Sequence, residues 1–140
     1  DIERFFDSIA HRRLRAELAI WIADERILRL IGLWIEQSGY RGRGVAQGSP
    51  ISPLLSNVYL RPIDRMMAAH GHRMIRYADD FVVLCASLHD ARRAMRRIDA
   101  LLHERELRLQ HDKTRIVAPG TPFDFLGHRL RAPPERTQRA

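Results

Sequence analysis

The runs His72–Tyr77 and Phe81–Ala86 favour extended backbone, and only Ala78-Asp79-Asp80 separates them. So short a connection predicts a tight antiparallel hairpin with two carboxylates at its tip. A lone hairpin is marginal in water and needs a covering layer. The flanking sequence supplies it. Ser52-Pro53 opens a helical pattern that runs to about Ala69, with Pro62 expected to kink it. On the other side, Ser87 and Asp90 form a capping-box-like start to a helix carried by Ala91, Ala94, Ile98, Leu101 and Leu102.

Upstream, Asp1-Ile2-Glu3-Arg4-Phe5-Phe6 reads as a short strand, with Asp7 or Ser8 able to cap the helix after it. Leu14, Leu18, Trp21 and Ile22, then Leu28, Ile31 and Ile35, recur at helical spacing. Asp24 between them is a fresh N-cap, so two helices are predicted, about 10–22 and 25–37, with Trp21 and Trp34 expected in the core. Gly39, Gly42, Gly44 and Gly48 punctuate an extended segment. Short strands are expected near 106–110, 114–117 and 123–130, and an irregular tail from Ala132. Strand, helices, long helix, hairpin, helix, strand is an α+β order. It suits a ferredoxin-like, split βαβ sheet with helices on one face.

Of 140 residues, 45% are hydrophobic and 29% charged, enough for one globular core. The net charge of +7 favours a polyanionic partner, nucleic acid first, although 23 of the 24 basic residues are Arg and a compositional bias would raise them together. The single cysteine, Cys85, excludes a disulfide framework and a cysteine-based zinc site, and reads as a small core residue. No apolar run is long enough to span a membrane, which sets a reducing cytoplasm as the default location. Asp1 is not an initiator Met, and the parent polypeptide is expected to extend upstream.

Three acids sit at strand ends: Asp1, Asp79 and Asp80. If the first strand lies beside the hairpin, Asp1 and Asp79 converge on one edge. Facing carboxylates can share two divalent ions, which activate a 3′-hydroxyl and stabilise a leaving pyrophosphate. Magnesium fits, since it takes oxygen ligands and keeps positions open for phosphates. Two adjacent acids alone are an ordinary polar turn.

Their surroundings are not ordinary. Tyr77-Ala78-Asp79-Asp80, between Arg76 and Phe81-Val82-Val83-Leu84, resembles the YxDD signature of reverse transcriptases in its YADD form, as in group II intron and related bacterial enzymes. Asp1-Ile2-Glu3-Arg4-Phe5-Phe6-Asp7-Ser8-Ile9 is similar to the family's first catalytic motif. Gly44-Val45-Ala46-Gln47-Gly48-Ser49-Pro50-Ile51-Ser52-Pro53-Leu54-Leu55-Ser56-Asn57 is similar to its template-and-nucleotide motif. His111-Asp112-Lys113-Thr114 resembles the lysine motif, and Phe125-Leu126-Gly127 the block leading toward the thumb.

The resemblance implies an RNA-directed DNA polymerase palm over 1–131, a tail over 132–140 leading toward a thumb, and two Mg2+ ions, with Mn2+ as a substitute. Asp1 and Asp79 would be the principal metal ligands, with Asp80 supporting and the Ile2 carbonyl an extra ligand. Phe6 falls where the family keeps a bulky gate against a 2′-hydroxyl; the competing reading is core packing beside Phe5. Gln47 and Gly48 would line the incoming nucleotide. Lys113, the one lysine, would be the general acid for pyrophosphate, because an ammonium can yield its proton and a guanidinium cannot. RNA template, DNA primer and dNTP are the implied partners, and intron RNA for a maturase parent, with no membrane. The motifs do not separate group II intron, CRISPR-associated and retron-type relatives. A basic RNA-binding module with a relict fold and a nucleotide cyclase on a similar palm are the rivals; the three intact acids disfavour the first, Gln47-Gly48 and Lys113 the second. The segment taken alone is expected to be inactive and, with a free α-amino group on Asp1, to hold metal weakly.

Overall fold

The computed structural model describes residues 1–131, so the expected tail over 132–140 lies outside the described residues. The elements run α1 (Phe5–Ser8), α2 (His11–Ala19), α3 (Glu25–Ser38), α4 (Ser52–Ala69), β1 (Arg73–Tyr77), β2 (Asp80–Leu84), α5 (Leu88–Glu104), β3 (Pro122–Phe125) and β4 (His128–Arg131). The core is built around α4, whose Leu55, Tyr59, Leu60, Ile63 and Met67 are buried. Against it pack α2 through Leu14 and Leu18, α5 through Ala94, Ile98 and Leu102, and β1. None of the described helices is long and apolar enough to cross a membrane.

Local signals placed most elements. Asp24 caps α3 by accepting from the Arg26 amide at 2.8 Å. Ser87 caps α5 by accepting from the Asp90 amide at 3.1 Å, and its hydroxyl donates to the Asp90 carboxylate. β1 and β2 pair antiparallel with Tyr77 opposite Asp80, so the turn is Ala78-Asp79 and Asp80 already belongs to the strand. Ala78 is left-handed there (φ 52°), as a two-residue hairpin turn requires.

Several expectations are corrected. The first segment is not a strand: Ile2 forms an isolated antiparallel bridge with Leu109, then Arg4 turns left-handed (φ 43°) into the single turn α1. That turn sets Phe5 and Ile9, four apart, into the core. Neither Asp7 nor Ser8 caps α2, whose N-cap is Ala10, and α2 ends at Ala19. Ser52 does not cap α4; its hydroxyl donates to the Ala46 carbonyl at 2.6 Å. The segment 114–117 is not a strand, 106–110 contributes only the Leu109 bridge, and 123–130 is a hairpin turning at Leu126-Gly127.

The strands are therefore organised as two separate two-stranded hairpins among the described residues, not the single ferredoxin-like, split βαβ sheet expected. The α+β class holds, and the first segment contributes only the isolated bridge of Ile2 with Leu109. The tryptophans are corrected too, Trp21 being 57% and Trp34 46% exposed. The strip that α3 buries is Ile31, Gly32 and Ile35, and the Arg15 guanidinium lies over Gly32, 2.8 Å from where a Cβ would stand. Trp21 instead carries the Arg61 guanidinium 4.1 Å above its ring. Cys85 is half-buried beside the core.

Candidate active site

Asp1 is tied to the core by backbone bonds that flank the Ile2 bridge: its carbonyl accepts from Gln110 at 3.0 Å, and the Glu3 amide donates to Arg108 at 2.9 Å. Its carboxylate lies 3.2 Å from the Lys113 ammonium. Burial pushes the Asp1 α-amino group below its ordinary 8.0, while the negative charges of Asp80 and then Asp79 pull it back up and Lys113 pushes it down. The Asp1 α-amino group thus lies near enough to Asp79, Asp80 and Lys113 to feel their charges.

The structure does not gather the three acids into a finished ligand set: among the described residues no three Asp, Glu, His or Cys side chains form a metal cluster. Like charges repel, and the Asp1 carboxylate is neutralised by Lys113. The donor chemistry nevertheless suits a hard divalent cation, since every acidic group at this tip offers carboxylate oxygen.

Phe6 is half-buried and meets Phe5 edge to face, centroids 5.3 Å apart. Its carbonyl accepts from the Val45 amide at 2.9 Å, and the Ile9 carbonyl accepts from Gly44 at 2.8 Å. The segment leading to Gln47 is thereby laced to the segment carrying Phe6. Gln47 and Gly48 themselves are exposed, and Gly48 is left-handed (φ 83°) with open space where a Cβ would stand.

Side chains that lack any motif of their own lock this arrangement. His11, 6% exposed, donates from Nε2 to the Gly44 carbonyl at 2.7 Å. Gly39 makes room for it, since a Cβ there would fall 2.5 Å from the imidazole and from the Arg43 carbonyl. Arg43, Arg13 at 2.9 Å and Arg12 at 3.9 Å converge on Glu106. The hydrogen bond from Arg13 chiefly, and the charge of Arg43, hold the Glu106 carboxyl below its ordinary 4.5. A depressed carboxyl stabilises the fold above its ordinary pKa and loses that contribution as pH falls through the folded value. Replacement by Gln is therefore expected to lower folding stability at neutral pH, by no more than about 1 kcal/mol for so solvated a group. Thermal melts of both proteins between pH 7 and 3 check this: the gap should close toward acid.

Arg76 is a further residue whose role sequence reasoning missed. Its Nε donates to Asp64 Oδ1 at 2.8 Å, Nη2 to Asp64 Oδ2 at 2.5 Å, and Nη1 to Asn57 Oδ1 at 3.0 Å and to the Ala78 carbonyl at 2.8 Å. A signal for it exists: in β1 the positions alternate exposed and half-buried, and Arg76 shares the inward phase with Met74. A charge on that face must find partners.

A family model described as "Reverse transcriptase (RNA-dependent DNA polymerase)" matches residues 1–130. The chain is 30% identical to Protein YkfC of Escherichia coli, the match covering 93% of this chain and 45% of that protein. It is 27% identical to a retrovirus-related Pol polyprotein from the type-1 retrotransposable element R2 of Nasonia vitripennis, covering 84% and 14%. It is 36% identical to an uncharacterized 91 kDa protein in a cob intron of Schizosaccharomyces pombe, covering 48% and 9%. The chain spans less than half the length of each of these relatives. With the family model running from Asp1 almost to the end of β4, the chain belongs to the reverse transcriptase family.

Proposed function

We propose that residues 1–131 are the palm of an RNA-directed DNA polymerase that extends a DNA primer on an RNA template, in a parent of the group II intron type. The observation that carries the reading is the Asp1 carboxylate paired with Lys113 at 3.2 Å, with Asp79 on the turn of the β1–β2 hairpin. Membership of the family and likeness to an intron-encoded protein support it.

Asp1 and Asp79 would hold two Mg2+ ions, with Asp80 and the Ile2 carbonyl in support. When bound, such ions lower the pKa of the primer hydroxyl and neutralise charge on the phosphates. The chain's own groups would do the rest. Gln47 offers an amide donor and acceptor to the nucleotide, and Gly48 lets its backbone approach closely. Lys113 would deliver a proton to pyrophosphate from its place beside Asp1. Phe6 would exclude a 2′-hydroxyl by bulk. RNA bound outside the template channel, as in a maturase, belongs to the same proposal.

Primer extension by the full-length protein on an RNA template, with dNTP and Mg2+, tests the reading; no template-dependent extension would end it. In the same assay Phe6→Ala is expected to raise rNTP incorporation relative to dNTP by at least about tenfold, the effect of some 1.4 kcal/mol of lost discrimination. Unchanged discrimination would return Phe6 to a packing role.

A further inference from the structure

We infer that Arg76 is a positioning residue for this reaction, clamping the turn that carries Asp79 to α4 and so fixing its distance from the nucleotide segment. The inference rests on the proposed polymerase function.

A guanidinium presents planar donors in a fixed fork, and Arg76 uses both edges. One edge meets both oxygens of Asp64 and the remaining nitrogen reaches Asn57 and Ala78. Its side chain is 11% exposed, against 36% for that of Asp64, so the guanidinium itself is largely shielded from water. Asn57 and Asp64 are seven residues apart, two helical turns, and therefore share one face of α4. The contact with the Ala78 carbonyl lies on the peptide joining Ala78 to Asp79. Ala78 is left-handed, a conformation a non-glycine residue holds only when its surroundings enforce it.

The same helix governs the nucleotide side. Ser52, at its first position and 2% exposed, donates to the Ala46 carbonyl at 2.6 Å, one residue before Gln47. The helix thus holds Ala46 at its start and, through Asn57, Asp64 and Arg76, the Asp79 turn. With 1.5 Å rise per residue, about 7.5 Å of α4 separates Ser52 from Asn57. A rigid helix makes that spacing constant. Asp64 neutralises Arg76, so the clamp sets geometry without leaving a bare cation beside the carboxylates.

The test uses the full-length polymerase with Arg76→Lys and Asp64→Asn, neither of which replaces a proposed metal ligand. Lysine keeps the charge but cannot fork; asparagine keeps the shape but loses one acceptor and the charge. Steady-state extension gives kcat and KM for dNTP, and Mn2+ binding is measured by electron paramagnetic resonance. For Arg76→Lys, kcat should fall roughly 100-fold, as for a catalytic group displaced by about 1 Å. Mn2+ affinity should fall about tenfold, as for loss of a ligand-orienting partner. KM for dNTP should change less than about twofold, and Asp64→Asn should act in the same direction more weakly. Normal kcat and Mn2+ affinity in both variants would overturn the clamp, as would losses matched by the loss of folded protein. Should Arg76→Lys not fold, the Asp64→Asn result decides alone. A wild type that extends no primer defeats the polymerase reading instead, and the Mn2+ measurement then still judges the clamp.

Discussion

Asp79→Asn is expected to cut RNA-templated primer extension by on the order of 10³-fold while leaving thermal stability nearly untouched. Asp79 sits on the two-residue turn of the β1–β2 hairpin, partly exposed, and makes no ion pair among the described residues. The asparagine keeps size and turn propensity, since both residues tolerate tight turns. What is removed is one negative charge at the point where, in the proposed mechanism, divalent ions meet the primer hydroxyl and the phosphates. Charge loss there acts on the transition state far more than on the folded ground state. The check is a paired measurement of extension rate and Tm. Full activity with unchanged Tm would remove Asp79 from the chemistry.

Tyr59→Ala is expected to be the most destabilising single change, by roughly 3–5 kcal/mol, the cost of emptying a large aromatic site in a packed core. Tyr59 is fully buried on α4. Its hydroxyl donates to the Arg105 carbonyl at 2.7 Å and accepts from the Ala10 amide at 3.4 Å. It therefore ties the central helix to the entry of α2 and to the end of α5. Tyr59→Phe keeps the ring and strands both backbone groups, which costs about 1–3 kcal/mol. Denaturant unfolding of the three proteins checks the order wild type, Phe, Ala. Equal midpoints for wild type and Phe would show that the hydroxyl contributes nothing.

What the sequence disclosed was whatever local chemistry decides. Asp24 and Ser87 marked helix starts because their side chains compete for nearby amides, and Ala78-Asp79 marked a turn because two extended runs left no other path. What it hid depends on partners far along the chain. The stretch Asp1–Phe6 has strand-like composition, yet only Ile2 finds a partner strand, and Phe5 with Ile9 is drawn inward by the core instead. Helical periodicity gave α3 a wide apolar face without saying which strip is covered, so Trp34 was misplaced. The carboxylates and Lys113 were singled out by their motifs as candidates, while His11, Glu106 and Arg76, which hold the segments bearing the candidate site, act across 33, 63 and 12 residues and left only a faint trace.

The most direct test of the shared-cation claim is crystallographic. The full-length protein would be crystallised with primer, RNA template, an unreactive dNTP analogue and Mn2+, and the Mn2+ positions read from anomalous scattering. Two peaks bridging the carboxylates of Asp1 and Asp79, with Lys113 turned from Asp1 toward the phosphates, is the expected result. Peaks confined to the nucleotide, with Asp1 still paired to Lys113, would contradict it.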